Sequence, residues 1–269
     1  MVEDSVQQAA VVRSAQARRS LILEELASNH VVRIAELGQR FGVSEVSIRR
    51  DLERLEQSGL LKRVHGGAVG VPGFTQPNVT LHRATAHLRE KEAIGRAATQ
   101  LISANQRLIL DSGTTTLQVA RSIPGNLLTS GNLTVITSAL PIVNELDAWK
   151  SVHIILLGGV YLHEYKVVVG PQTIEALRGL HADIMFLGSD GLSFSNGVTT
   201  ANVLEAEVDR ALVASASRVV VVADSSKIGG IGLVTIMPLN QIDTLITDNK
   251  APAEFVAELR SQGVEVITV

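Results

Sequence analysis

SEVSIRRDLERLEQSGLLKRVHGG, residues 44–67, sets two arginines side by side, adds a third four positions on, and closes with a basic dipeptide and His-Gly-Gly. Ser44 is a natural N-cap, and Ile48, Leu52 and Leu55 fall at i, i+4 and i+7. That spacing predicts a helix with one face against a core. The opposite face then carries Val46, Ser47, Arg49, Arg50, Glu53 and Arg54. Its arginines alternate with Glu45, Asp51, Glu53 and Glu56, a pattern that also suits any solvated helix held by i,i+4 pairs. Charge alone therefore leaves the role of this face open. The helix stops at Gly59, LLKRV reads as a short strand, and HGG reads as the turn of a two-stranded hairpin.

Working upstream, residues 18–27 predict a helix with Leu21, Ile22 and Leu26 on one side. A second helix is expected from about residue 33, with Ile34, Leu37 and Phe41 on its apolar face, ending at Gly42. Helix, helix, glycine turn, helix and hairpin is the winged helix-turn-helix layout. Its third helix has the width of a B-DNA major groove, and an arginine fork can pair with guanine or clamp a phosphate. Ser44, Glu45, Val46, Ser47, Arg49 and Arg50 are expected to face bases. Lys62 and Arg63 are expected on the flanking backbone, and Arg54 and His65 complete the DNA-facing set.

The totals agree with a few arranged contacts rather than a cationic coat. The 269 residues carry a net charge of −3. Residues 1–70 hold ten basic and nine acidic side chains (+1), which leaves 14 and 18 (−4) for the remainder. Aromatics are 3% of the chain, too few for base stacking on single strands. There are no cysteines, which excludes disulfides and thiolate metal sites, and the seven histidines form no ligand cluster, so no metal is expected. No apolar run approaches a membrane span and the N-terminus has no signal-peptide pattern, so a cytoplasmic location without membrane contact is expected.

GAVGVPGFTQPNVT, residues 67–80, is rich in Gly and Pro and lacks periodicity. The expected division is a DNA-binding domain over 14–70, a linker over 71–84 and a second domain over 85–269. In the second domain strands such as RLIL, TVIT, IMFLG and VVVVA alternate with helices. Strands apolar on both faces imply a parallel sheet covered on two sides, with ligands outside its carboxyl ends. Four segments fall there: DSGTTT from Asp111 to Thr116, TSAL with Thr137 and Ser138, GSDGLS from Gly188, and ADSSK ending at Lys227. Small residues before a helix can close on an anion, although each such turn alone is as readily a cap. Together with the lysine they suggest a phosphate, with Asp111 or Asp190 orienting hydroxyls. No dinucleotide fingerprint or Walker loop is present, and no cofactor is expected.

The core pattern VS..SIRRDL..L...G...R.HGGA closely resembles the N-terminal domain of the DeoR family of bacterial transcriptional regulators, with Ser47 where that family usually has Thr. DSGTTT, VITSAL, LGSDGLS and TTANVLEAEVDRALVASASRVVVVADSSKIG are similar to its sensor domain. The resemblance implies an α/β chain: a winged helix-turn-helix linked to a Rossmann-like parallel-sheet domain that resembles ribose 5-phosphate isomerase. It implies repression of sugar or polyol catabolic genes, with a phosphorylated sugar as effector. Carried over by motif, the effector positions are Asp111, Gly113, Thr114, Thr115, Thr137, Ser138, Gly158, Asp190, Glu205 and Lys227, and Thr116 completes its turn. After Gly159 the chain departs from the family with VYLHEYKVVVG, where Tyr161, Tyr165 and Lys166 are expected to shape a different pocket. A homodimer or homotetramer on double-stranded operator DNA is expected, because one winged domain is a small reader. The alternative is a sugar-phosphate isomerase using Glu205 and Lys227, although SNGVTTANVLE lacks the lysine-glycine run that such enzymes carry before their base.

Overall fold

The computed structural model describes residues 15–29, 31–57, 61–64, 66–69, 83 and 85–269. The chain divides into two units, Met1–His82 and Arg83–Val269. The expected linker lies outside the described residues except for Arg83. That residue belongs to the second unit.

In the first unit, α1 (Ala15–Asn29), α2 (Ile34–Phe41) and α3 (Glu45–Gln57) pack over a small sheet of β1 (Val31–Arg33), β2 (Lys62–Val64) and β3 (Gly67–Val69), in the order β1-β3-β2. Ile22, Leu37, Ile48, Leu52 and Leu61 are each 2% exposed or less and form the core. Burying one such side chain stabilises by roughly 1.5–3 kcal/mol. Gly42 ends α2 at φ +63, where a side chain would be strained.

Two features differ from the sequence reading. The wing has three strands, because Val31–Arg33 pairs with β3 and buries Val32. Gly67 permits this: a Cβ there would fall 2.0 Å from the Val32 carbonyl oxygen. Asp51, read as one of the solvated charges, is buried on α3 and accepts from Arg18 Nε at 2.6 Å. Two buried opposite charges at that distance compensate each other's lost hydration.

The second unit is built on a seven-stranded parallel sheet: β4 (Arg107–Leu110), β5 (Thr134–Thr137), β6 (His153–Leu156), β9 (Ile184–Leu187), β12 (Val219–Val222), β14 (Thr244–Thr247) and β15 (Glu265–Thr268), in the order β15-β14-β12-β9-β4-β5-β6. Successive strand residues serve opposite layers. Leu108, Leu110, Phe186 and Val220 meet α4 (Leu88–Thr99), α5 (Thr114–Ser122), α6 (Gly125–Ser130) and α7 (Leu140–Leu146). Ile109, Leu187 and Val221 join the other layer with α8 (Pro171–Ala176), α9 (Val203–Ala214) and α10 (Ala253–Ser261). Two features went unread in the sequence: a hairpin of β7 (Val160–Leu162) and β8 (Val167–Val169), and a small antiparallel sheet of β10 (Gly191–Ser193), β11 (Gly197–Thr200) and β13 (Val234–Met237). From β4 the chain winds to β5 and β6 on one side, then returns to lay β9, β12, β14 and β15 on the other. The β4/β9 boundary is thus the topological switch point, where open α/β sheets leave a crevice at their carboxyl edge. Among the described residues no helix is long and apolar enough to cross a membrane.

Candidate functional site: a helical face and a carboxylate cluster

The helical face comes first. Ser44 caps α3, its Oγ accepting from Ser47 N at 3.3 Å and lying 3.0 Å from Ser47 Oγ. Val46 is 54% exposed, and Arg49, Arg50 and Arg54 also face solvent. Arg49 pairs with Glu45 at 3.0 Å, so that carboxylate occupies one of the expected readers. Arg63 donates from Nε to Glu56 at 2.6 Å and from its backbone at 2.9 Å, which ties β2 to α3. The backbone and side-chain hydrogen bonds from Arg63 hold the Glu56 carboxyl below its usual range. Arg50 has no ion pair among the described residues, and Lys62 on the wing is exposed. His65 lies outside the described residues.

At the switch point, Asp111 follows β4 directly and is buried, with Gly188 N, just after β9, donating to its Oδ2 at 3.0 Å. Asp209 of α9 lies against Asp111, and each carboxyl bears on the other's titration. Two turns earlier, Asn202 caps α9 by accepting from Leu204 N and Glu205 N, at 2.9 and 3.2 Å, and this fixes the first turn that carries Glu205. Ser112 Oγ donates to Glu205 at 3.2 Å. Asp190, after β9, accepts from Ala201 N at 2.8 Å and Thr200 Oγ1 at 3.3 Å. Its other oxygen lies 3.2 Å from the Arg83 guanidinium, which sits 5.7 Å over the Tyr165 ring.

Carboxyls packed this closely away from water cannot all ionise. Burial first, then the charges of Asp111 and Asp190, push Glu205 up to about 8. Burial likewise raises Asp111 to about 6, against the opposing hydrogen bonds from Gly188 and Ser112, and pushes Asp209 well upward. Near neutral pH the cluster therefore holds a proton on Glu205 and can both donate and accept hydrogen bonds. On the same edge, Lys91 of α4 is buried, and burial lowers it to about 8, with Asp224 opposing and Lys227 and Arg83 adding to the shift.

Of the residues singled out in the sequence, Asp111, Asp190 and Glu205 are brought together. Gly113 precedes α5 at φ +120, and Thr114 and Thr115 open that helix. Thr116 and Thr137 are placed differently from expectation. Both are fully buried, and their hydroxyls donate to the carbonyls of Gly113, in the same turn, and of Leu110, on the neighbouring strand, at 3.0 and 2.7 Å. The Ser138 carbonyl accepts from Val168 N at 2.8 Å, and that of Gly158 from Thr173 Oγ1 at 2.8 Å. In the hairpin, Tyr161 is exposed and packs edge-on to His163, 4.7 Å between centroids, while Lys166 is an exposed turn residue at φ +55. Tyr165, not Tyr161, reaches Arg83. Lys227 ends a short 3-10 helix, Ser225–Lys227, that Asp224 caps. Arg83, Lys91 and Asp209 escaped the sequence reading. Only Asp209 left a signal there, four residues after Glu205 on one helix face.

The comparisons with known proteins bear on both units. Residues 18–71 match the DeoR-like helix-turn-helix domain, and residues 86–249 match the DeoR C terminal sensor domain. The HTH-type transcriptional regulator GolR of Listeria innocua is 34% identical over 93% of this chain and 96% of its own. The regulator GlpR of Haloferax volcanii is 33% identical over 93% and 96%, and the transcriptional repressor AccR of Agrobacterium fabrum 33% over 89% and 92%. A ribose 5-phosphate isomerase of Methanocaldococcus jannaschii overlaps 53% of the chain and 55% of its own, at 14% identity and a TM-score of 0.41, too loose a likeness to carry an argument. With regulators aligned along nearly its whole length and a DNA-binding module at its head, the chain is not an enzyme. Both of its units match one family's domains, and the chain belongs to the DeoR family of transcriptional regulators.

Proposed function

We propose that the chain represses sugar or polyol catabolic genes, and that a phosphorylated sugar or polyol at the carboxyl edge of the sensor sheet sets its grip on the operator. The observation that carries this reading is the meeting of Asp111, Asp190 and Glu205 at the β4/β9 switch point, with Arg83 on Asp190. Carboxyls in mixed protonation states suit the hydroxyls of a sugar, which both donate and accept. Lys91, Lys227 and the first-turn N–H groups of α5, which no helix carbonyl accepts, suit a phosphate. The naming of AccR as a repressor supports the sign of the regulation.

On the DNA side, Ser44, Val46, Ser47, Arg49 and Arg50 read base edges, with Arg49 leaving Glu45 to do so. Lys62 and Arg63 hold phosphates. The protein acts as a homodimer or homotetramer in the cytoplasm, reading repeated half-sites. Thermal denaturation tests the sensor half. Ribose 5-phosphate, glucose 6-phosphate and glycerol 3-phosphate are compared with their unphosphorylated parents, in wild type and Lys227→Ala. A phosphorylated member raises the melting temperature of the wild type, its parent does not, and Lys227→Ala blunts the shift. Equal shifts from sugar and sugar phosphate refute the phosphate assignment.

A further inference from the structure

Arg83 opens the sensor unit, immediately after the N-terminal unit ends at His82. It is held twice. Its guanidinium lies 3.2 Å from Asp190 Oδ1 and stacks over Tyr165, while its carbonyl accepts from Lys91 Nζ at 2.5 Å. The same ammonium also holds the Ala86 carbonyl, at 2.8 Å. Arg83 and Ala86, at the start of the sensor unit, are thus pinned by charged groups of the carboxyl edge.

Asp190 is itself fixed, because its Oδ2 is taken by Ala201 N and Thr200 Oγ1; Oδ1 is the oxygen given to Arg83. In the functional reading above, Asp190 is also a carboxylate that accepts an effector hydroxyl. A ligand hydroxyl donating to Oδ1 would compete with the guanidinium for that oxygen's charge. We propose that the Arg83–Asp190 pair is a latch: a ligand on Asp190 displaces Arg83, and the released segment carries occupancy of the sensor to the DNA-binding unit along the chain. The inference rests on the effector reading and adds the element that couples the two sites.

Two observations fit an exchangeable contact. The pair is partly solvated, with side-chain exposures of 36% and 19%, so a ligand can compete for it. Lys91 also has somewhere to go. Among the described residues Asp224 Oδ2 is buried without a hydrogen-bond partner, and its charge already attracts the Lys91 ammonium. A lysine that moves from the Arg83 and Ala86 carbonyls toward Asp224 gives the segment two discrete arrangements, as coupling requires.

The test uses the full-length protein and a fluorescent duplex selected by the wild type from a random pool, with no sugar present. Arg83→Gln and Asp190→Asn each change the duplex Kd in the same direction, by about fivefold, the scale of a partly exposed ion pair. The double variant goes no further, and the exchanged pair Arg83→Asp with Asp190→Arg returns toward wild type. Single variants within twofold of wild type, or additive effects in the double, overturn the latch. Amide hydrogen exchange over residues 85–91 gives a second reading on the same samples: faster exchange in both single variants is expected, and unchanged protection overturns the latch. The sugar-phosphate denaturation series separates the two claims. No shift in the wild type sinks the effector reading, and the proposed exchange on Asp190 with it. A shift accompanied by unaltered duplex affinity in both variants sinks the latch alone.

Discussion

Replacing Glu205 by Gln should stabilise the sensor domain at alkaline pH and leave it nearly unchanged in acid. The wild-type carboxyl is 6% exposed and titrates near 8 when folded, against 4.5 as the ordinary value. The folded state therefore binds a proton that the unfolded chain gives up over that interval. Stability contributed by this group is complete below pH 4.5 and is lost as pH rises towards 8. At pH 7.5 the loss integrates to about 4 kcal/mol, an order-of-magnitude figure. Gln is neutral throughout and keeps an oxygen for Ser112 Oγ. Urea denaturation of wild type and Glu205→Gln at pH 5, 7.5 and 8.5 reads this directly, and the gap in unfolding free energy should open by several kcal/mol from the first pH to the last. A gap that is flat with pH, or a variant less stable than wild type at pH 8.5, refutes the claim that burial and the neighbouring Asp111 and Asp190 hold a proton on Glu205. A confirmed gap would mean the chain carries a destabilising acid at the switch point, a cost that suits a binding site.

Two further outcomes concern the first unit. Arg50→Ala should abolish specific duplex binding in a mobility shift while leaving the melting curve in place, because the side chain is exposed and has no ion pair among the described residues; retained specific binding removes Arg50 from the reading set. Asp51→Asn should destabilise the DNA-binding unit by about 1–3 kcal/mol, the cost of weakening a buried charge-assisted hydrogen bond to its cationic partner. Here that partner is Arg18 at 2.6 Å, and the cost should appear as a lower urea midpoint for that unit. A loss under about 1 kcal/mol would mean that Arg18 reaches water or another carboxylate.

The elements that a chain signals by periodicity were legible from sequence. The Ile48-Leu52-Leu55 stripe, the Ser44 cap and the Gly42 stop locate α3, and the doubly apolar strands give the parallel sheet. What was missed depends on partners far away in the chain. Val31–Arg33 is too short for a pattern and becomes a strand only because Gly67 lets its carbonyl approach. Asp51 looks like any helix-surface acid until Arg18, 33 residues earlier, closes over it. In the sensor domain, Asp111 and Asp190 stood out by position at strand ends, and Glu205 came from the family resemblance. Arg83 did not, because it sits beside a Gly- and Pro-rich stretch and gains its role from a pairing with Asp190 over a hundred residues later. Thr116 and Thr137 carry a further lesson: hydroxyls in an anion-friendly turn can be taken up by nearby backbone carbonyls, here those of Gly113 and Leu110.

The central claim is that a small phosphorylated ligand at the switch point alters how the N-terminal helix grips duplex DNA. Fluorescence anisotropy of the selected duplex, titrated with full-length protein in the presence and absence of the sugar phosphate that gives the largest thermal shift, tests it most directly. The account predicts a duplex Kd changed at least fivefold by that compound, a change lost in Glu205→Gln, with the unphosphorylated parent inert, as expected for an allosteric coupling of about 1 kcal/mol or more. An identical duplex Kd with and without a sugar phosphate that demonstrably binds would contradict it.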